Sequence, residues 1–173
     1  VPGARVRIVD EQGREVPTGQ SGEIWVAGPM VMKGYYRLPE QSAEALTADG
    51  QFKTGDLGMI DADGFLYVTG RKKDLIIVAG EKVAPREVEE VLLAHPAVRE
   101  AAVVGRKDVH RGEAVVAFLV LREGMAARPD ELRTFCRDQS LAHFKIPRDY
   151  VFLDELPRTP TGKVLKRKLA EGL

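Results

Sequence analysis

Lys163, near the C-terminal end of the sequence, is the first candidate for chemistry. It closes the segment 157–163, whose sequence PRTPTGK contains two prolines and a glycine. These residues interrupt helices and strands, so the segment is expected to form a shaped, exposed loop that carries the lysine. A cation on such a loop can neutralise an anion held in a cleft. A Walker-type phosphate loop is not indicated, because the spaced glycines and the strand–loop–helix setting of that motif are absent.

Asp56 and Arg71 have side chains that suit a nucleotide. Asp56 follows Thr54-Gly55 where a loop enters a predicted strand, and its two oxygens can accept hydrogen bonds from a vicinal diol such as a ribose. Arg71 follows Gly70 and offers a fixed fork of donors to a ribose or phosphate. From the residues alone, a turn aspartate and a solvated linker arginine are the commoner roles.

The segment between residues 71 and 82 contains three further candidates. Lys73 belongs to a charged run, residues 71–74, between two apolar stretches, and this run predicts a linker or hinge. A lysine there can pivot without breaking a core, although a solvated surface lysine is more common. Gly80, two residues before Lys82, either allows a ligand close to the backbone or makes a turn. The residues leave both interpretations open.

Composition narrows the class of protein. The 173 residues are 44% hydrophobic and 30% charged, as in ordinary globular proteins. Lys and Arg number 26 and Asp and Glu also 26, so no bulk field attracts nucleic acid or an anionic membrane. No apolar run reaches the ~20 residues of a membrane span, and the first residues lack the apolar core of a signal peptide.

The cysteine and the histidines predict no metal or disulfide chemistry. The single Cys136 cannot form an internal disulfide, which favours a reducing, cytoplasmic compartment. It falls on the apolar face of a predicted helix and is more typical of a core residue than of a nucleophile. The three histidines, His95, His110 and His143, are scattered without a partner carboxylate pair, so no metal site is predicted.

Hydrophobic periodicity predicts an α+β fold in two lobes. The first lobe, residues 1–70, is mostly β and also contains a short helix that begins at Pro39; a hinge follows at 71–74, and a compact α+β lobe occupies 75–173. The second lobe has the order β-α-β-β-α-β, with helices that begin at Pro85 and Pro129. The predicted strands are 6–9, 23–27, 57–60, 65–68, 75–78, 101–104, 114–121 and 150–153.

Four motifs in order make the chain resemble the C-terminal portion of the adenylate-forming superfamily, which contains acyl-CoA synthetases, luciferases and peptide-synthetase adenylation domains. They lie at 22–36, 52–57, 70–89 and 157–163 and cover essentially the whole chain. The resemblance implies that residues 1–70 belong to the distorted β-barrel of a large adenylating domain. It also implies that residues 75–173 are a mobile C-terminal domain.

The resemblance implies a two-step reaction and a role for each candidate residue. A carboxylate attacks ATP to give an acyl-adenylate and pyrophosphate, and a thiol then displaces AMP to give a thioester. By resemblance, Asp56 holds the ribose hydroxyls, Arg71 contacts the nucleotide, and Lys82 faces the adenylate or its phosphate. Lys163 bridges carboxylate and phosphate oxygens in the first step.

The resemblance also implies that the C-terminal lobe rotates between the two steps. Lys73 matches the hinge position, and Gly80 matches the segment that lines the thiol tunnel. ATP or AMP, CoA and a small carboxylic acid are the implied ligands, with a fatty or aryl acid as the expected class. Magnesium is expected with ATP, although the sequence shows no ligand set for it.

Two alternatives remain beside an acid–CoA ligase. One is an adenylation domain that loads a carrier protein; a lysine at position 73 and the end of the chain soon after its basic cluster favour the CoA ligase. The other is an isolated lobe that binds a nucleotide or partner without catalysis. The first residue is not methionine, which suggests a piece of a longer protein, and the fragment alone is expected to be inactive. The acid pocket and phosphate loop of the family lie upstream, so the sequence does not identify the acid.

Overall fold

A computed structural model describes residues 2–173, and the chain divides between Lys73 and Asp74 into two units. The first is mostly β and the second mixes sheet and helix, so the predicted α+β class is confirmed. None of the helices in residues 2–173 combines the length and the apolar character needed to cross a membrane. The assignment of these units to an adenylating domain and a mobile domain stays a prediction.

The N-terminal unit is built on an antiparallel sheet in the order β1-β2-β3-β4. Ile8 and Val9 of β1 and Ile24 of β2 are its buried apolar residues. The predicted hairpin forms at Asp61, whose carboxylate accepts hydrogen bonds from the backbone N–H groups of Asp63 and Phe65. The elements are β1 (Arg5–Val9), β2 (Gly22–Ala27), α1 (Pro39–Ala45), β3 (Phe52–Ile60) and β4 (Leu66–Arg71).

The C-terminal unit contains a five-stranded sheet in the order β6-β5-β8-β7, with β9 parallel to β8. Its central strand β8 is buried from Ala114 to Val120. The elements are β5 (Ile76–Val78), β6 (Glu81–Val83), α2 (Pro85–Leu93), β7 (Val98–Asp108), β8 (Gly112–Leu121), α3 (Pro129–Asp138), β9 (Asp149–Phe152) and α4 (Lys166–Glu171).

Strand β8 supplies a core on each face of this sheet. Val115, Ala117 and Leu119 pack with residues of α2 and α3 on one face. Val116 and Phe118 belong to the cluster on the other face, which also contains residues from α4 and the segment before it. The C-terminal segment that carries Lys163 therefore packs on the side of the sheet opposite α2 and α3.

Some elements differ from the periodicity-based prediction. Strand β3 begins at Phe52 instead of residue 57, because Phe52 and Lys53 pair with β2 across the Thr54-Gly55 interruption. Strand β6 and helix α4 were not predicted, since each is short and rich in charged residues. Within the predicted linker or hinge, residues 71–74, Arg71 ends β4 and Lys72–Asp74 form a 3-10 turn.

Because β8 is buried on both faces, a cavity in this strand is expected to lower the free energy of unfolding substantially. Leu119 is fully buried, and Leu119→Ala is expected to lower the free energy of unfolding by about 2–5 kcal/mol through lost apolar contact and the cavity left behind. Val109→Ala is the control, because the Val109 side chain is 98% exposed at a turn. Urea unfolding followed by far-UV circular dichroism measures both, and equal effects of the two substitutions would contradict the prediction.

Candidate functional site

Asp56 and Arg71 face each other on neighbouring strands. Asp56 of β3 pairs in register with Arg71 of β4, and Arg71 Nε lies 3.2 Å from Asp56 Oδ1. Both side chains keep access to solvent, with exposed fractions of 36% for Asp56 and 57% for Arg71. An acceptor and a planar donor fork therefore stand side by side, an arrangement suited to a ligand with hydroxyl and phosphate groups.

A β-bulge in the pairing of β3 with β2 includes Asp56. Three residues of β3, Thr54 to Asp56, lie opposite the single residue Ile24 of β2. The Thr54 hydroxyl donates to the Ile24 carbonyl (2.7 Å) and accepts from the Asp56 N–H (3.0 Å). Gly55 has φ +72°, a conformation that favours glycine. The bulge redirects the following side chain, as bulges beside active sites do.

A pocket of about 410 Å³ opens beside this pair within the N-terminal unit. It is lined by residues of the β3 bulge and by the end of β4 with the turn that follows. The lining is basic, which favours an anionic ligand. The lining residues are Thr54, Gly55, Arg71, Lys72 and Lys73.

Lys72 and Lys73, although adjacent, are held differently. Lys72 Nζ lies 2.9 Å from Oε2 of Glu23, a carboxylate on β2 whose side chain is only 10% exposed. This ion pair fixes the start of the 3-10 turn to the N-terminal sheet. Lys73 is exposed, and the division between the two units falls directly after it. The predicted pivot residue is thus the first residue beyond the anchor.

Gly80 lies in a two-residue hairpin turn between β5 and β6. Val78 pairs with Glu81, and the two turn residues Ala79 and Gly80 have φ +50° and +89°. Positive φ at both positions is the requirement of a type I′ turn. A Cβ at Gly80 would meet nothing within 4 Å, so the backbone conformation and not protein crowding calls for glycine. Gly80 therefore makes a turn, one of the two roles that the residues left open, and Lys82 follows on β6 opposite Ile77.

Lys163 lies at the end of an exposed loop closed by its own hydrogen bonds. The Thr159 N–H donates to the Lys163 carbonyl (2.8 Å), and the Lys163 N–H donates to Thr159 Oγ1 (3.1 Å). Arg158 and Val164 pair as an isolated bridge across the loop. The Lys163 side chain is exposed, and the loop presents it on a defined backbone.

An arginine pocket, which the sequence did not predict, lies in the C-terminal unit. Its volume is about 150 Å³, and four arginines and a histidine dominate its lining. Among the four arginines, positions 133 and 137 show the i, i+4 spacing of one helix face. The other two come from separate parts of the sequence. The lining residues are Arg111, Arg133, Arg137, His143, Ile146, Pro147 and Arg148.

Neighbouring carboxylates neutralise only part of this arginine pocket. Arg148 Nη1 lies 2.5 Å from Asp108 and Arg133 Nη1 lies 2.8 Å from Asp130. Backbone N–H groups of His110 and Arg111 hold the pKa of Asp108 below its usual value, so this carboxylate stays charged. Arg111 also joins the pocket to the turn at Gly80, because its carbonyl accepts a hydrogen bond from the Ala79 N–H (2.7 Å).

Cys136 and His95 lie outside these two pockets, whereas His143 lines the arginine pocket. Cys136 is fully buried in the core between α2, α3 and the sheet, and burial raises the pKa of its thiol, which disfavours the nucleophilic thiolate. His95 packs edge-on against Phe135 with 4.9 Å between ring centroids. Within residues 2–173 no group of three or more His, Cys, Asp or Glu side chains is placed to hold a metal ion.

The predicted residues therefore fall into three places. Asp56, Arg71 and Lys73 share one region of the N-terminal unit. Gly80 and Lys82 share the β5–β6 hairpin, and Lys163 stands on its own loop in the same C-terminal unit. Their roles toward substrate stay predictions.

Two family models match the chain. The model described as AMP-binding enzyme C-terminal domain matches residues 87–163, and the model described as AMP-binding enzyme matches residues 1–36. The first match lies within the C-terminal unit and ends at Lys163. The order of the two matches agrees with the order of the motifs along the chain.

Curated relatives and solved structures extend the match over nearly the whole chain. A sulfoacetate–CoA ligase from Cupriavidus necator is 49% identical over 96% of this chain and 33% of its own length. A fatty acid–[acyl-carrier-protein] ligase, ScoC from Streptomyces coeruleorubidus, is 47% identical over 98% of this chain and 32% of its own length. The structure of ATP-bound MatB from Rhodopseudomonas palustris is 42% identical, with a TM-score of 0.94 over 99% of this chain and 34% of that one.

The chain spans about a third of the length of the curated relatives it matches. Their names include ligases that act with CoA and a ligase that acts with a carrier protein. The chain belongs to the adenylate-forming, AMP-binding enzyme family and represents the C-terminal portion of an acyl-CoA synthetase-like member.

Proposed function

We propose that the full-length protein is an AMP-forming acid–CoA ligase. It joins a carboxylic acid to ATP, releases pyrophosphate, and transfers the acyl group from the adenylate to the thiol of CoA. The observation that carries the proposal is the Asp56–Arg71 pair on adjacent strands beside a basic pocket. The acid itself is selected by residues outside this chain.

The pocket beside Asp56 holds the nucleotide. The contact with Arg71 uses one carboxylate oxygen, Oδ1, so the other oxygen accepts hydrogen bonds from the ribose hydroxyls. Arg71 places its guanidinium where it contacts the ribose or phosphate. The basic wall formed by Lys72 and Lys73 favours the negative charge of AMP and ATP.

Lys163 stabilises the first step. Attack of a carboxylate on the α-phosphate brings two anions together, and a cation placed in advance lowers the energy of that arrangement. Lys82, on the β5–β6 hairpin, is assigned to the adenylate or its phosphate. Rotation of the C-terminal unit about Lys73 then replaces Lys163 by the Gly80 turn for thioester formation.

The Lys72–Glu23 ion pair supports a pivot at Lys73. A hinge needs a fixed side and a free side, and the nearly buried Glu23 carboxylate holds the residue directly before Lys73. Backbone rotation that began earlier would break this contact. A few residues at an element terminus are sufficient to absorb such a rotation.

The arginine pocket favours CoA over a carrier protein as the thiol acceptor. CoA carries a diphosphate and a ribose phosphate, whereas the phosphopantetheine arm of a carrier protein has a single phosphodiester that joins it to the protein. Arginine forks match phosphate geometry, and the pocket adjoins the turn at Gly80 through the Arg111 carbonyl. One end of CoA is thereby held while its thiol passes the turn.

Magnesium accompanies ATP, but the proposal assigns no residue of this chain to binding it. Residues 2–173 contain no group of three or more His, Cys, Asp or Glu side chains placed to hold a metal ion. Octahedral Mg²⁺ is commonly held by one or two carboxylates together with substrate phosphates.

Lys163→Ala in the full-length protein is expected to slow adenylation by about 10²–10³-fold, the usual cost of removing one preorganised donor. Thioester formation from supplied acyl-adenylate is expected to keep its rate, because Lys163 serves only the first step. Pyrophosphate release and thioester yield measure the two steps separately. Lys168→Ala, in the exposed basic part of α4, is the control, and equal losses in both steps would contradict the role of Lys163.

The double substitution Arg111→Ala/Arg137→Ala is expected to raise the KM for CoA by about tenfold or more, since a hydrogen bond to a charged group contributes about 1.5–3 kcal/mol. The KM for free pantetheine, which lacks the phosphates, is expected to stay unchanged. Arg86→Ala, outside the pocket, is the control. Faster loading of a carrier protein than of CoA by the unaltered enzyme would instead support the carrier-protein alternative.

A further inference from the structure

The loop that carries Lys163 is connected to the C-terminal sheet at both of its ends. We define the lysine loop as residues 157–165. The hydrogen bonds within it fix its shape, but they do not fix its place on the sheet. Val164 packs against the apolar cluster on that face of the sheet, and two ion pairs add directional contacts, one formed by Arg158 before Lys163 and one formed by Lys166 after it.

Arg158 connects the lysine loop to strand β7. One guanidinium nitrogen, Nη2, contacts the carboxylate of Glu100 on β7. The second terminal nitrogen, Nη1, donates a hydrogen bond to the carbonyl of Gly162 (2.7 Å). Gly162 directly precedes Lys163. The planar guanidinium therefore acts as a rigid spacer between the sheet and the lysine. Glu100 is oriented further by Arg99, whose Nε lies 3.5 Å from Glu100 Oε1.

Lys166 connects the other side of the lysine loop to Glu89. Lys166 Nζ lies 2.7 Å from Glu89 Oε1, and the same oxygen accepts the N–H of Val103 on β7 (2.7 Å). Glu89 belongs to α2, which packs on the opposite face of the sheet from α4. The Glu89 side chain, which is 15% exposed, reaches the free edge of β7. It therefore connects α2 on one face of the sheet with α4 on the other.

These contacts have a geometric consequence for Lys163. Glu100 belongs to β7, and Glu89 is hydrogen-bonded to β7. The ion pairs on the two sides of Lys163 therefore hold the backbone against the same strand. Misplacement of a reacting group by about 1 Å costs on the order of 10²-fold in rate. A short loop with an exposed lysine needs such support, because exposed loops otherwise open at little cost.

We propose that Arg158 is a positioning residue for Lys163, acting through its bridge between Glu100 and the Gly162 carbonyl, with the Lys166–Glu89 pair as the second support. This rests on the proposed function, in which Lys163 serves adenylation. Arg158 does not contact the substrate in this proposal. It holds the lysine loop ready before the nucleotide arrives.

The test uses Arg158→Met and Glu100→Gln in the full-length enzyme. Each substitution is expected to lower the kcat of adenylation by about 10–100-fold, while the KM for ATP and the rate of thioester formation from supplied acyl-adenylate stay within about twofold. Their combination is expected to lose no more than the stronger single variant, because both remove one bridge. Arg158→Lys keeps a cation for Glu100 and is expected to lose less than Arg158→Met.

The matched control is Arg167→Met, which removes the same charge from α4. Among residues 2–173, the partner of Arg167 is Glu171 of the same helix, at 2.7 Å, and the Arg167 side chain is 90% exposed. Adenylation is expected to be unchanged in this variant. A proportional loss of both half-reactions in Arg158→Met, or no loss at all, would overturn the proposal, and so would equal defects in Arg158→Lys and Arg158→Met.

Lys163→Ala separates this inference from the proposed function. If Lys163→Ala abolishes adenylation while Arg158→Met is neutral, the positioning role fails and the function stands. If Lys163→Ala leaves adenylation intact, the proposed role of Lys163 in adenylation is wrong, and the positioning role of Arg158 is wrong with it. Thermal unfolding followed by circular dichroism is measured for every variant, so that a rate lost through unfolding is recognised by its shared effect on both half-reactions.

Discussion

The C-terminal unit depends on the burial of strand β8 on both of its faces. From Ala114 to Val120 no residue of this strand is left to solvent, so each face of the sheet must be covered. Helices α2 and α3 cover one face, and the C-terminal segment with Leu156 and Leu169 covers the other. The lysine loop lies between Leu156 and Leu169. The same hydrophobic requirement that completes the core therefore brings Lys163 against the sheet.

In the N-terminal unit, irregular strand pairing on both sides of β3 accompanies the candidate site. Regular pairing would continue the alternation of β3 through Thr54 and Gly55. The bulge there shifts the register of β3 against β2. A second shift, between Leu57 and Gly58, changes the register of β3 against β4, where Asp56 lies opposite Arg71. The Thr54 hydroxyl stabilises the bulge from within, so the geometry does not require a bound ligand. A polar pair preorganised in this way loses less on binding.

Balanced charge across the chain conceals local asymmetry that matters for function. Equal numbers of basic and acidic residues give no net field, yet the arginine pocket and the pocket beside Asp56 are both basic. Exposed ion pairs contribute little to stability. Pairs with one nearly buried partner, such as Lys72–Glu23 and Lys166–Glu89, orient backbone segments next to the candidate residues. Their importance lies in geometry more than in folding energy.

The sequence by itself determined the α+β class, the hairpin at Asp61, the helix starts at Pro85 and Pro129, and the exposed turn that carries Lys163, because periodicity, proline and turn residues act locally. It also identified the family through motifs. Tertiary structure alone decided the early start of β3, the formation of β6 and α4, the arginine pocket and the Arg158–Glu100 bridge. The early start of β3, the arginine pocket and the Arg158–Glu100 bridge join residues far apart in the sequence, so only strand pairing and packing bring them together. The segments that form β6 and α4 are short and charged, and they carry no periodic signal.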